Sequence, residues 1–308
     1  MATEQRQYLR RCKLIVSTAG GSGLDLSGLH IKFAVKKADA QTPNTAEIRV
    51  YNVAETTVAR IRKEFSRVVL QAGYESNYGV IFDGNIKQVR FGRENGTDTY
   101  IDIAAGDGDD AYNFAVVNTT LAAGAKQSDQ IGAAANSMSG RGVKQGYIGD
   151  TGEGKLPRGK VMYGMARDYL RQSAEASDTS WSIQDGKLQF VPMTGVLPNQ
   201  AVVLNSKTGL VGQPEQTNDG IKARCLLNPM LKIGGKVQID EKDVAQAKLP
   251  DTAKDAQANQ PADIAADGFY RLLVVEHSGD TRGNDWYSDL ICLDIDATQP
   301  PNKQVKPT

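Results

Sequence analysis

Fourteen residues, "HSGDTRGNDWYSDL" at 277–290, hold one His, three Asp, one Arg and two Ser beside a Trp–Tyr pair. Such side chains could form a Ser–His–Asp relay, with His as base, Ser as nucleophile and a carboxylate holding the imidazole. The serine nearest to His277 is Ser278, whose side chain leaves the opposite face of a strand. No G-x-S-x-G elbow occurs in the chain. A zinc hydrolase needs several His, Cys or carboxylate ligands, typically with close-spaced pairs. Only His30 and His277 exist, and neither has a second His or Cys within five positions.

Other candidate sites fail on spacing. "GDGDD" at 106–110 invites a calcium loop starting at Asp107, which requires Gly at its sixth position and Glu at its twelfth. Those positions hold Tyr112 and Asn118, so a solvated turn is expected. "GGSG" at 20–23 lacks the third glycine of a dinucleotide fingerprint and precedes no helical pattern. The aromatic residues are scattered, without the ladder that stacks single-stranded bases. No catalytic, cofactor-binding or metal-ligating residue is assigned, and the chain is expected not to be an enzyme.

The 277–290 stretch then reads as structure. "FYRLLVVEH" and "WYSDLICLDI" are two strands, and "SGDTRGND" between them has the glycines and Asp of a hairpin loop. Trp286 and Tyr287 point to opposite faces, one into the core, and Arg282 is placed to pair with Asp280 or Asp285.

The elements around it follow from periodicity. In "GLHIKFAVKKA", Ile31, Phe33 and Val35 alternate with Lys32, Ala34 and Lys36, so one face points inward. "CKLIVS", "AEIRVYNV", "RVVLQAGY", "GVIFDGNIKQVRFG" and "DTYIDIAAGD" supply further strands. "ETTVARIRKEF" interrupts them with Val58, Ile61 and Phe65 at helical spacing. From 106 to 200 the pattern is mixed. "KQSDQIGAAANSM" reads as a helix capped by Ser128, and "KVMYGMARDYLRQSAEAS" as one amphipathic helix. Asp185–Gly186 sits between two alternating runs and predicts a type I′ hairpin. After 200 the strands return, interrupted by a polar, Ala-rich stretch at 241–267 that reads as a long, mobile loop between two strands, of the kind that is functional or disordered.

Bulk properties narrow the class. Formal charge is zero, from 36 basic and 36 acidic residues, which gives no surplus for neutralising phosphates. No apolar h-region follows the N-terminal arginines, and no run is long enough to span a bilayer. Synthesis and folding in the cytosol are therefore expected. Cys12, Cys225 and Cys292, odd in number and widely spaced, read as reduced thiols.

The expected fold is α+β, mainly β. Residues 1–105 form a first β domain, a small barrel or sandwich with one short helix, and 106–200 a mixed middle domain ending in a hairpin. Residues 201–296 form a second β domain, and 297–308 a flexible arm.

Several stretches in order resemble the baseplate hub proteins of tailed bacteriophages: "IRVYNVAETTVARI" at 48–61, "VLQAGY" at 69–74, "IFDGNI" at 81–86, "GDGDDAYNFAVVN" at 106–118 and "WSIQDGKLQFVP" at 181–192. The strongest are "KTGLVGQPEQTNDGIKARCLLNPML" at 207–231 and "GFYRLLVVEHSGDTRGNDWYSDLICLDI" at 268–295. The resemblance implies two tail-tube-type β-barrels per subunit and a homotrimer forming a pseudo-sixfold ring. That ring would adapt the hexameric tail tube, or a tube-initiator protein, to a trimeric spike. It would contact tape-measure and baseplate wedge proteins, and pass DNA on ejection without binding it specifically. The implied location is the virion's tail baseplate. Rival readings are a tail-associated cell-wall hydrolase, a carbohydrate-binding β-sandwich, and a distal tail or tube protein assembling as a hexamer.

Overall fold

Alternating patterns dominate the first hundred residues, and in the computed structural model they run as strands around one helix. These are β1 (Arg10–Ser17), β2 (Gly23–Asp25), β3 (Ile31–Ala38), β4 (Thr45–Tyr51), α1 (Glu55–Glu64), β5 (Arg67–Tyr74), β6 (Asn77–Arg93) and β7 (Thr99–Gly106). The structure describes residues 7–18, 21, 23–240, 244–245, 265 and 267–295. The arm at 297–308 and most of the 241–267 stretch lie outside the described residues, as does part of "GGSG". Ile31, Phe33 and Val35 of β3 are buried and Lys32 is exposed, as the period of two requires. Val58 and Ile61 turn inward from α1, and Phe65 closes its C-terminal end.

The middle region comprises α2 (Asp109–Phe114), β8 (Val116–Leu121), α3 (Gln127–Ser139), β9 (Lys144–Ile148), β10 (Lys160–Met165), α4 (Ala166–Ala176), β11 (Thr179–Gln184) and β12 (Lys187–Pro192). Two expectations are corrected here. The helix anticipated from Lys160 begins only at Ala166. Residues 160–165 instead pair with β8, Met162 buried between exposed Val161 and Tyr163, and Gly164 adopts a φ of 153° that no helix accommodates. The N-cap of α3 is Lys126 and not Ser128. The Lys126 N–H donates to Asp129 Oδ2 at 2.7 Å, and this bond fixes the first turn. The Asp185–Gly186 hairpin forms as expected, with φ angles of 53° and 73°.

The chain ends in β13 (Val202–Leu204), β14 (Leu210–Thr217), β15 (Gly220–Leu226), β16 (Lys236–Ile239), β17 (Phe269–Asp280) and β18 (Trp286–Asp294). The first and last blocks share one 13-stranded sheet, ordered β14-β15-β18-β17-β3-β4-β7-β6-β5-β1-β2, with β16 and β13 branching from β17. Two closed barrels were expected; among the described residues no sheet closes on itself. β17 is long enough to serve both blocks. Its first residues pair with β16 and the rest with β3, while β18 runs along its other side.

Within this sheet the second block repeats the first. The order β3-β4-β7-β6-β5-β1 recurs as β14-β15-β18-β17-β16-β13, the same sequence of strands in the chain. The β6–β7 ladder slips between Ile86 and Gln88, and the β17–β18 ladder slips between Leu272 and Val274 at the matching place. Arg49 of β4 grips Asp102 of β7 in a bidentate pair and stacks on Tyr100. Arg224 of β15 grips Asp289 of β18 and stacks on Tyr287 in the same arrangement. One difference stands out: β1 joins β5 antiparallel, whereas β13 joins β16 parallel.

Three main apolar cores fill the molecule. The first joins both ends of the opening run, Leu14 and Val16 of β1 with Ile31, Phe33 and Val35 of β3, so the sheet curls about it without hydrogen-bonding shut. The second lies in the middle region around Ile131, Met162, Leu170, Trp181 and Phe190. The third lies in the last block around Ile221, Val237, Tyr270 and Leu290. Trp286 belongs to β18 yet packs in the first core, edge-on to Phe33, with its Nε1–H donated to Gly73 O at 3.2 Å.

Candidate functional site

The buried charged side chains collect where the three cores meet. β3 keeps its apolar period to Val35, and the next inward position is Lys37, only 2% exposed. Its ammonium donates to the Asp185 carboxylate at the tip of the β11–β12 hairpin. Lys232, from the loop before β16, reaches the other Asp185 oxygen at 2.8 Å and Val80 O at 3.2 Å. Asp107 is fully buried beneath the same turn and accepts the N–H groups of Asp185 at 2.5 Å and Gly186 at 2.8 Å. The expected solvated turn at "GDGDD" is thus corrected at its second residue. The tight I′ turn points two N–H groups inward, and Asp107 satisfies both.

Further bonds extend this junction. Asn44 accepts the Ala38 N–H at 3.0 Å and donates to Ile183 O at 3.0 Å and Gln184 Oε1 at 2.8 Å. Gln184 donates to Ala38 O at 3.1 Å. Arg271 of β17 is 4% exposed; it donates to Asp39 Oδ2 at 2.5 Å and to the carbonyls of Pro192, Met193 and Gly195. Ser180 of β11 donates to the same Asp39 carboxylate. Apart from Asn44–Ala38 and Arg271–Asp39, these bonds tie β11, β12 or the segment after it to the shared sheet.

Burial and charge set the ionisation here. Burial pushes the Asp185 carboxyl up, but the Lys37 and Lys232 ammonium groups outweigh it and hold it well below the usual carboxylate range. Burial followed by the Asp185 charge pushes Asp107 up to about 7. Burial, and then the Lys37 and Lys232 charges, push His277 down to about 3. His277 is therefore neutral at pH 7.

The opening hairpin resolves in the same region. His277 Nδ1 lies 2.8 Å from the Oγ of Ser288, its partner across the β17–β18 ladder, and Ser278 plays no part. Ser288 is fully buried and also accepts the Asn228 N–H at 3.2 Å. Among the described residues no carboxylate hydrogen-bonds His277. A base and a hydroxyl are present, but neither meets solvent, so a substrate carbonyl has no approach. Asp280 holds the turn by accepting the N–H groups of Arg282 and Gly283 and meeting His30 Nε2 at 2.7 Å. Arg282 contributes its backbone here, not the expected ion pair to Asp280 or Asp285. Trp286 is buried and Tyr287 half-buried, on opposite faces.

Among the described residues no group of three or more His, Cys, Asp or Glu is placed to hold a metal. All three cysteines are free; burial pushes the thiols of Cys12 and Cys225 up to about 12 and that of Cys292 higher still. Among the described residues, no helix is long and apolar enough to cross a membrane. Exposed apolar side chains gather elsewhere. Val116, Val161 and Tyr163 project from the β8–β10 ribbon, and Phe114 precedes it.

Sequence reasoning passed over Lys37, Asp39, Asn44, Lys232 and Arg271, and saw Asp185 only as a turn former. One signal was available: Lys37 shares parity with Ile31, Phe33 and Val35, and a lysine on an apolar face requires a buried anion.

A family profile described as baseplate hub gp41 matches residues 14–242. No curated protein matches the chain in sequence. Among solved structures, a tail protein from Neisseria meningitidis MC58 is 9% identical, with 92% of this chain and 96% of that one covered at a TM-score of 0.57. The 43 kDa tail protein of prophage MuSo2 from Shewanella oneidensis is 8% identical, with 95% and 99% covered and a TM-score of 0.58. The E. coli c3393 protein, a type VI secretion component described as similar to T4 tail proteins gp27 and gp5, is 10% identical; coverage is 90% and 77% and the TM-score 0.54. At these identities the structures share the fold.

Proposed function

The chain belongs to the baseplate hub gp41 family, and from that premise we propose that three copies form a ring in which each contributes two equivalent β blocks. It is a structural protein of the phage tail, and the virion tail is where it resides. The finer reading is an adaptor: six equivalent blocks meet a hexameric tail tube or tube initiator on one side, and a trimeric spike on the other.

The observation that carries this reading is the repeat inside the sheet. Arg49–Asp102–Tyr100 and Arg224–Asp289–Tyr287 present the same polar surface twice per chain, from the same strands of each block. Three chains would then offer six such surfaces, which is what a sixfold partner needs from a threefold ring. The buried polar junction supports it. A ring closes only when the angle between its parts is fixed; the Lys37–Asp185–Lys232 contacts fix the middle region against both blocks, and Arg271–Asp39 fixes the blocks against each other.

Three surface arginines in the sheet are neutralised in place, Arg49 by Asp102, Arg67 by Asp83 and Arg224 by Asp289. A wall of this kind suits a conduit that passes DNA without gripping it. The two β blocks act as the two barrel-like domains of a hub, the 106–200 region as the domain between them, and the exposed β8–β10 ribbon as a surface for a tail partner such as a spike, tape-measure or wedge protein.

A cryo-EM map of the assembled tail tip tests the proposal. Three copies about the axis, with tube subunits seated alternately on the two blocks, is the expected result. Six copies would assign the chain to the tube or distal tail instead, and a continuous Lys/Arg band along the inner wall would contradict passive passage.

A further inference from the structure

The sheet contains its own template for a joint between copies. In the described chain the two blocks meet where β3 pairs with the outer half of β17, Val35 opposite His277 and Ala34 opposite Ser278. That half of β17 is available because the short β16 covers only its first residues. The repeat supplies a counterpart for each partner. β14 stands to β15 as β3 stands to β4, with Glu215 opposite Lys222 as Ala34 is opposite Glu47. β6 stands to β7 as β17 stands to β18, fixed by the matching ladder slips.

Among the described residues neither counterpart is paired by a further strand. β5 pairs with β6 only as far as Asn85, and among the described residues no strand pairs with Gln88–Arg93 on the side away from β7. At the opposite end of the sheet, β14 is an edge strand. Phe91 marks the vacancy. It sits opposite the fully buried Ile101 of β7, yet is 44% exposed. Its counterpart His277, covered by β3, is 2% exposed.

We propose that β14 of one copy adds antiparallel to Gln88–Arg93 of β6 in a second copy, repeating the β3–β17 joint. Carrying the template over sets the register: Thr217 opposite Arg90, Gln216 opposite Phe91, Glu215 opposite Gly92 and Pro214 opposite Arg93. Phe91 is covered as His277 is. The joint is head-to-tail, because each copy presents β14 at one end and the β6 edge at the other, so it builds a ring when the rotation closes. Pro214 offers an acceptor and no donor, which an edge strand tolerates. This rests on the hub reading for the number of copies but not for the register.

The free chain also carries a stopper. Ala245 donates its N–H to Pro214 O at 2.7 Å and accepts the Gln216 N–H at 3.0 Å. Those are the backbone groups that a neighbour's strand would use, so Ala245 must leave before the joint forms. An edge covered in this way resists indiscriminate pairing.

The test is oxidative cross-linking of the full chain carrying R90C and T217C, beside wild type and the out-of-register pair R93C with T217C. Cysteines held opposite each other on adjacent strands lie within disulfide range. The expected result is disulfide-linked dimer and trimer forming on the order of tenfold faster than in either control. Adding A245P, which removes the stopper's N–H, should raise the yield further. If mass photometry shows oligomers but the in-register pair links no faster than the controls, the joint lies elsewhere and the hub reading stands. Cross-linked ladders running past trimer would keep the joint and overturn the threefold ring. A chain that stays monomeric at its highest soluble concentration, with no linkage, overturns the joint.

Discussion

Lys37 and Asp185 form a buried ion pair between the end of β3 and the tip of the β11–β12 hairpin, two points 148 residues apart in the chain. Lys37 has no route to solvent, and Asp185 is gripped from a second side by Lys232. The pair holds the middle hairpin in the angle between the two β blocks.

Asp185→Asn preserves a residue that tolerates the left-handed turn but removes the charge opposite Lys37. Stability should fall by about 3–5 kcal/mol, since a buried ammonium is left uncompensated. Urea denaturation measures it. Lys37→Met combined with Asp185→Asn should recover part of the loss, and a double variant as unstable as the single one would show that the turn, not the charge, matters.

Asp107 and His277 should oppose each other in pH dependence. Asp107, raised to about 7, contributes stability that is complete below its unfolded value near 4 and lost as pH rises through 7. His277, lowered to about 3, contributes stability present above its unfolded value of 6.5 and lost as pH falls toward 3. Between pH 4 and 6.5 the two slopes cancel. His277→Gln removes one of them, so the variant should lose about 1.4 kcal/mol per pH unit from pH 4 to 6.5 relative to wild type. Parallel stability curves for the two proteins would contradict these ionisation states.

Trp286→Ala should cost about 3–5 kcal/mol, the usual loss for an aromatic side chain deleted from a core. The residue belongs to one block and packs in the core of the other, so its loss should also separate their unfolding. Calorimetry should then show two transitions. A single transition at a lower temperature would mean that the β3–β17 ladder alone couples the blocks.

Ser288→Ala leaves His277 Nδ1 and the Asn228 N–H without their partner, for an expected loss of about 1–3 kcal/mol. Neither wild type nor the variant should clear peptidoglycan in a zymogram. Clearing by wild type that disappears in the variant would restore the hydrolase reading.

Legibility in the sequence followed the range of the forces involved. The β strands of the first block, α1, the Asp185–Gly186 turn and the 277–290 hairpin were readable because each is decided by neighbours a few residues apart. The stretch from Lys160 to Met165 was misread. "VMYGM" fits a helical stripe as well as a strand, and the strand formed because β8 was there to pair with it. Ser288 escaped notice as the partner of His277 because cross-strand register depends on the length of the turn between them.

The sequence by itself determined that this chain alternates between strand-rich and mixed regions, carries no G-x-S-x-G elbow and no close-spaced His or Cys pair, and resembles a tail hub. Only the tertiary structure decided that the two blocks share one open sheet, that the second repeats the first down to a ladder slip, and that Asp107 and Lys37 are buried charges. The physical reason is that periodicity states which face of a strand is apolar but not which strand lies beside it. Pairing between β3 and β17, more than two hundred residues apart, is settled by edge geometry and packing that no local pattern encodes.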